Sequence, residues 1–267
     1  MATWQFDAET AVTALAPDRW QARLSAAWNI GDNPNGGYMA VPALRAAREA
    51  AGLPDPASVT IHYLRPGVAE DDAGITAELV RRGRRAANVT AGMEQQGKER
   101  LRLTAVMADL GRPGPSEVEA PALALPMPEL PAPDDCPGRT ELNQGIGLAI
   151  ASRLDIRVAR TAAGDGAGNG AEIAGWVRLA DGRPVDTAAL VLFADAFPPS
   201  IFSLLGPVGW VPTLELTVHV RRHPAPGWIA GRFRTSDIAD GLLVEDGELW
   251  DETGALVARS RQLALLL

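Results

Sequence analysis

The carboxylate most out of place in this sequence is Asp195, the only charge in the run Leu190-Val191-Leu192-Phe193-Ala194-Asp195-Ala196-Phe197. A carboxylate among such neighbours is costly unless it is hydrogen-bonded or reached by water, and burial disfavours its charged form. If half buried, it carries a pKa above the ordinary ~3.9 and suits a general base. The alternative is a helix-end side chain bonding local backbone before Pro198-Pro199. Gln262 is the second candidate. In the last strand-like segment Ala258, Ser260, Gln262, Ala264 and Leu266 share one face, and Arg259 and Arg261 share the other. The arginines belong in solvent, so the Gln262 amide points inward, where it needs partners. It is either a site group or a satisfied core amide. Thr213 opens a segment whose face also holds Glu215, Thr217 and His219, and β-propensity alone would account for a threonine there.

Other chemistries find little support. His62, His219 and His223 are the only histidines, and His219 and His223 stand roughly 13 Å apart along an extended chain. With no Cys cluster and no His-Glu-x-x-His pattern, neither a metal nor an organic cofactor is expected. Gly-x-Ser-x-Gly is absent, which disfavours a serine-elbow hydrolase. Gly164, Gly166, Gly168 and Gly170 do not fit a dinucleotide fingerprint and read as a mobile hairpin. Arg81, Arg82, Arg84 and Arg85 form a basic patch that could meet phosphates, or a solvated turn. A net charge of −8, from 33 acidic and 25 basic residues, argues against a nucleic-acid partner. The single cysteine, Cys136, permits no internal disulfide, and no secretory signal or membrane span is visible. A cytoplasmic globular protein is the expectation.

The elements that must position these residues come in two similar sets. The prolines from Pro113 to Pro137 mark an extended linker, giving units at 1–110 and 141–267 with 111–140 between them. The first unit reads as a helix over 37–51, stopped by Gly52-Leu53-Pro54, then strands over 58–64, 76–82, 86–95 and 101–109. The second reads as a helix over 187–197, then strands over 213–220, 227–235, 242–251 and 255–266. Thr60-Ile61-His62 and Thr217-Val218-His219 occupy the same place in each. A helix wrapped by an antiparallel sheet, present twice, makes an α+β double hot-dog fold, and joining the two sheets edge to edge would cover an exposed strand.

Pro34-Asn35-Gly36-Gly37-Tyr38 opening a helix, followed by His62-Tyr63-Leu64-Arg65-Pro66-Gly67, resembles the N-terminal half of the thioesterase-like superfamily, including the acyl-CoA thioesterase II proteins. The second half is similar through Phe193-Ala194-Asp195-Ala196-Phe197, Pro212-Thr213-Leu214-Glu215, 247–254 and 257–262. The resemblance implies a carboxylate, a hydroxyl and an amide from the second unit, at Asp195, Thr213 and Gln262, aiming a water at a thioester carbonyl. A threonine and a glutamine orient such a water without competing for its protons. Asn35, Gly36 and Gly37 are the candidate source of amide donors to the oxyanion, since glycine permits close approach. His62 and Arg84 complete the expected substrate contacts. One departure is Glu215-Leu216, where the family often carries Asp-His; this puts substrate choice in question.

The function implied is hydrolysis of an acyl-CoA thioester to the free acid and CoA, by a chain that forms homo-oligomers. Two alternatives stay open at this point: a hot-dog protein that binds acyl-CoA or a lipid-like ligand without turnover, and an enoyl-CoA hydratase.

Overall fold

The computed structural model of the chain describes residues 3–112, 123–142, 145–159, 171–207 and 209–266. The first half begins with α1 (Gln5–Glu9), β1 (Thr13–Ala16) and β2 (Arg19–Arg23), followed by the short pair β3 (Asn29–Ile30) and β4 (Asn33–Pro34). Then come α2 (Gly36–Ala51), β5 (Asp55–Tyr63), β6 (Asp72–Arg82), β7 (Ala86–Gln95) and β8 (Lys98–Ala108). The second half holds β9 (Leu154–Ala159), β10 (Ala171–Leu179), α3 (Thr187–Phe193) and α4 (Phe202–Leu205). It ends with β11 (Thr213–Val220), β12 (Ile229–Ala239), β13 (Leu242–Asp251) and β14 (Leu256–Leu265).

Among the described residues twelve strands form one antiparallel sheet, ordered β1-β2-β6-β7-β8-β5-β11-β14-β13-β12-β10-β9. Outward from the β5–β11 seam, both halves run through their strands in matching order. At the seam Thr60 lies opposite Thr217, and their hydroxyls are 2.8 Å apart. This is a double hot-dog fold: α2 packs on β5 to β8, α3 meets α2 and the seam, and one core cluster runs through both halves. No helix of the described residues is long and apolar enough to cross a membrane.

The alanine-rich α2 is a strong helix former, capped by Asn35 at its start and by Gly52, in the left-handed conformation at φ 57°, at its end. The second helix is shorter than the expected 187–197. It stops at Phe193, because the carbonyls that follow are taken from outside: Asn35 donates to Asp195 O, and Arg139 to Ala196 O. The described part of the proline-rich stretch is packed. Trp176 Nε1 donates to Pro131 O and Trp250 Nε1 to Leu125 O, both at 2.9 Å, on the face of the second half's strands away from the main core. The glycine hairpin over 164–170 lies outside the described residues.

Candidate active site

Asp195 sits in the turn after α3, where the N-terminus of α2 arrives against it. Asn35 does two jobs there. Its Oδ1 accepts from Tyr38 N and caps α2, while its Nδ2 donates to Asp195 Oδ2 at 2.9 Å. Gly37 N donates to the same oxygen at 2.8 Å. Such an approach needs glycine: a Cβ on Gly37 would fall 2.8 Å from Leu192 O, and one on Gly36 would fall 3.1 Å from Asp195 Oδ2. Burial pushes the Asp195 carboxyl up to about 6, and the bonds from Gly37 and Asn35, with the nearby Arg139 guanidinium, hold it from rising further. The Gly37 amide is therefore committed to the carboxylate, not turned toward an oxyanion.

Thr213 and Gln262 reach the same place from adjacent strands. Simple alternation puts Thr213 on the face of Glu215, Thr217 and His219. The structure corrects this: a bulge between Thr213 and Glu215 shifts the register, pairing Thr213 with Ala264 and turning it to the inner face. Gln262 is buried there, and Thr213 Oγ1 lies 3.5 Å from its Oε1. Its Nε2 donates to Glu245 Oε1 at 3.1 Å. Burial, above all, raises Glu245 to about 7; the Ser200 donors oppose this and neighbouring Asp195 adds to it.

Asp195, Thr213, Gln262, Asn35 and Gly36 all line one cavity of about 290 Å³. Its remaining wall is largely apolar, with Met39, Phe197, Phe202, Val211, Phe233 and Leu265. Two expected substrate contacts are elsewhere. His62 is exposed on the outer face opposite Glu215. Arg84 is exposed in the β6–β7 turn, at the far end of the strands from the Tyr63 end of β5. The exposed arginine at the cavity is Arg65, which donates to Glu99 O at 2.9 Å.

Sequence reasoning missed three cavity residues. Glu245 shares a strand face with Leu243, Gly247 and Leu249, and that alternation could have marked it as inward. Tyr63 follows Val59 and Ile61 on β5; its hydroxyl is buried and has no hydrogen-bond partner among the described residues. Arg139 is buried beside Asp195, and no pattern in the proline-rich stretch announces it. No group of three His, Cys, Asp or Glu able to hold a metal is present among the described residues.

Residues 24–108 match the acyl-CoA thioesterase N-terminal domain, and residues 129–266 match the acyl-CoA thioesterase C-terminal domain. With the fold, this makes the protein a thioester hydrolase of the double hot-dog class. The chain belongs to the acyl-CoA thioesterase family. It is similar to an uncharacterized protein of Mycobacterium bovis, 29% identical over 92% of this chain and 90% of that protein. Among solved structures, a protein from Thermobifida fusca described as a candidate thioesterase II is 30% identical with a TM-score of 0.86, covering 100% of this chain and 99% of that one. A hot-dog protein of unknown function from Alicyclobacillus acidocaldarius is 26% identical with a TM-score of 0.84, again over 100% and 99%.

Proposed function

We propose that the protein hydrolyses acyl-CoA to the free acid and CoA, with Asp195 as general base and Thr213 and Gln262 orienting the water. The observation that carries this is convergence: a carboxylate after α3, a hydroxyl on β11 and an amide on β14 open onto one cavity. Asp195 Oδ2 is held by Asn35 and Gly37, which leaves Oδ1 for a water. The water gives one proton to Asp195 as its oxygen attacks the thioester carbonyl carbon. The tetrahedral intermediate then collapses, breaking the carbon–sulfur bond, and the departing CoA thiolate takes that proton back. A base with a pKa of about 6 is largely ionised at neutral pH and still basic enough to accept a proton. The acyl chain lies along the apolar wall, and Arg65 stands where a CoA phosphate would pass.

Free-thiol release from a panel of acyl-CoAs, short to long and including branched and aromatic acids, tests the reading. We expect turnover by the native chain, an acid limb with a midpoint no lower than about 6, and a loss of at least about 10²-fold in Asp195→Asn. Release unchanged in that variant would remove Asp195 from the reaction. Binding without release by the native chain would leave only a ligand-binding role.

A further inference from the structure

Glu245 has no part in the scheme above, yet it is the acid that holds the scheme's amide. It lies on the inner face of β13 and is buried. Its Oε2 accepts from Ser200 N at 2.7 Å and its Oε1 from Gln262 Nε2 at 3.1 Å. The other end of that amide faces Thr213 Oγ1 at 3.5 Å, the outer limit of a hydrogen bond, with room to tighten once substrate fills the cavity. The groups around Glu245 are Asp195, Asp246 on its own strand, which is paired with Arg261, and the hydroxyls of Ser200 and Thr235. Arg139 stands beyond them, beside Asp195.

An ionised carboxylate only accepts hydrogen bonds. It must therefore take the N–H end of the Gln262 amide, and this turns the amide oxygen toward Thr213. Thr213 has a single proton, which goes to that oxygen, and its own oxygen is left with lone pairs to offer the cavity. A water there can give one hydrogen to Thr213 and the other to Asp195, keeping a lone pair for the thioester carbon. With Glu245 protonated, every direction can reverse. The acid donates to the amide oxygen, Nε2 faces Thr213, and the threonine O–H competes for the lone pair that attack requires.

We infer that Glu245 is a positioning residue: by accepting from Gln262 it fixes the direction of the hydrogen-bond chain through Gln262 and Thr213, so that the nucleophilic water meets acceptors only. This rests on the reading of Asp195, Thr213 and Gln262 proposed above. Glu245 titrates near 7, so the chain runs in the productive direction on the alkaline side of neutrality.

The test is Glu245→Gln in the full chain. It preserves size and an acceptor for Ser200 N but can donate as well as accept, so direction is lost. We expect kcat to fall about 10- to 100-fold with KM unchanged. The acid limb should also move to lower pH, because the Glu245 titration near 7 no longer adds to that of Asp195 near 6. In a Gln262→Met background the same change should leave kcat where Gln262→Met alone puts it. A folded Glu245→Gln chain with native kcat and acid limb overturns the inference, provided Asp195→Asn is inactive. Activity in Asp195→Asn overturns the underlying site instead. Should Glu245→Gln fail to fold, nitrogen-15 spectra of the native chain decide. The Gln262 side-chain amide, assigned by its loss in Gln262→Met, should shift as pH passes through about 7; an amide insensitive to pH sinks the inference.

Discussion

Asp195 links the chemistry of the site to its cost. Its folded pKa of about 6 stands above the unfolded value of 3.8, because burial penalises the charge more than Gly37, Asn35 and Arg139 relieve it. The folded chain therefore holds this proton more tightly than the unfolded chain does. The associated stability is complete below the unfolded value and is lost as pH rises through about 6, over the same interval in which the proposed base ionises. Asparagine mimics the protonated acid and still accepts from Asn35 and Gly37. Asp195→Asn should match the native chain in stability near the acid end of this window. Above it the variant should be more stable by on the order of 1–3 kcal/mol, the lower end reflecting the partial exposure of Asp195. Urea unfolding at the two ends of the window measures the gap, and a gap that does not widen with pH would mean Asp195 is not strained by its charge.

What was legible in the sequence divides cleanly at the scale of the element. A lone acid in an apolar run, and an amide alternating with arginines, are local signals, and both led to the cavity. Alternation alone puts Thr213 on the wrong face because a bulge is a property of two strands and their register, not of either strand alone. The apolar run overshoots the end of α3 because side chains from Asn35 and Arg139, distant in sequence, satisfy the carbonyls that follow. The basic run does not make Arg84 a phosphate contact at this cavity, because the direction of the hairpin puts it at the far end of the strands. The α2–α3 junction is the element on which the site depends most. Alanine is intrinsically the better helix former, by about 1 kcal/mol over glycine. At Gly37, however, a Cβ would sit 2.8 Å from Leu192 O and 3.0 Å from Asp195 Cβ. Sterics should win: Gly37→Ala is expected to lose about 1–3 kcal/mol of stability and, by displacing Asp195, most of its turnover. Gly74→Ala, whose Cβ meets nothing within 4 Å, is the control and should change neither. Equal behaviour of the two variants in thermal melts and thiol release would refute the argument.

At the scale of the whole molecule, the pairing of Thr60 with Thr217 relates the halves closely enough that even their irregularities correspond. The β5–β8 ladder shifts register between Pro56 and Ser58, at the positions matching the Thr213–Glu215 bulge of β11 and β14. The relation also generates a second cavity of about 320 Å³, lined by Leu44, Pro56, Met107, Asp186 and Thr187 among others. Pro56 stands where Thr213 stands in the first site, Ala105 matches Gln262, and Leu44 matches Asp195 when both helices are counted from their capping residues. The set proposed for hydrolysis, Asp195, Thr213 and Gln262, is thus not repeated at the matching positions of the first half. In the second cavity buried Asp55 instead accepts from Leu110 N and from Thr187 Oγ1, both at 2.9 Å, and meets His223 Nε2 at 2.9 Å. Those partners belong to both halves, so Asp55 acts as a staple across them. Alanine there would strand a partly buried amide and a buried hydroxyl, at a cost of about 2–4 kcal/mol. The active cavity lies roughly 26 Å away along β5, the rise of that strand from Asp55 to Tyr63. Asp55→Ala should therefore lower the melting temperature by several degrees and leave kcat per folded chain intact, the opposite of Asp195→Asn on both counts at neutral pH. Loss of kcat in an Asp55→Ala chain that remains folded would mean that the second cavity takes part in turnover, and that the division of labour argued from the two-fold relation is wrong.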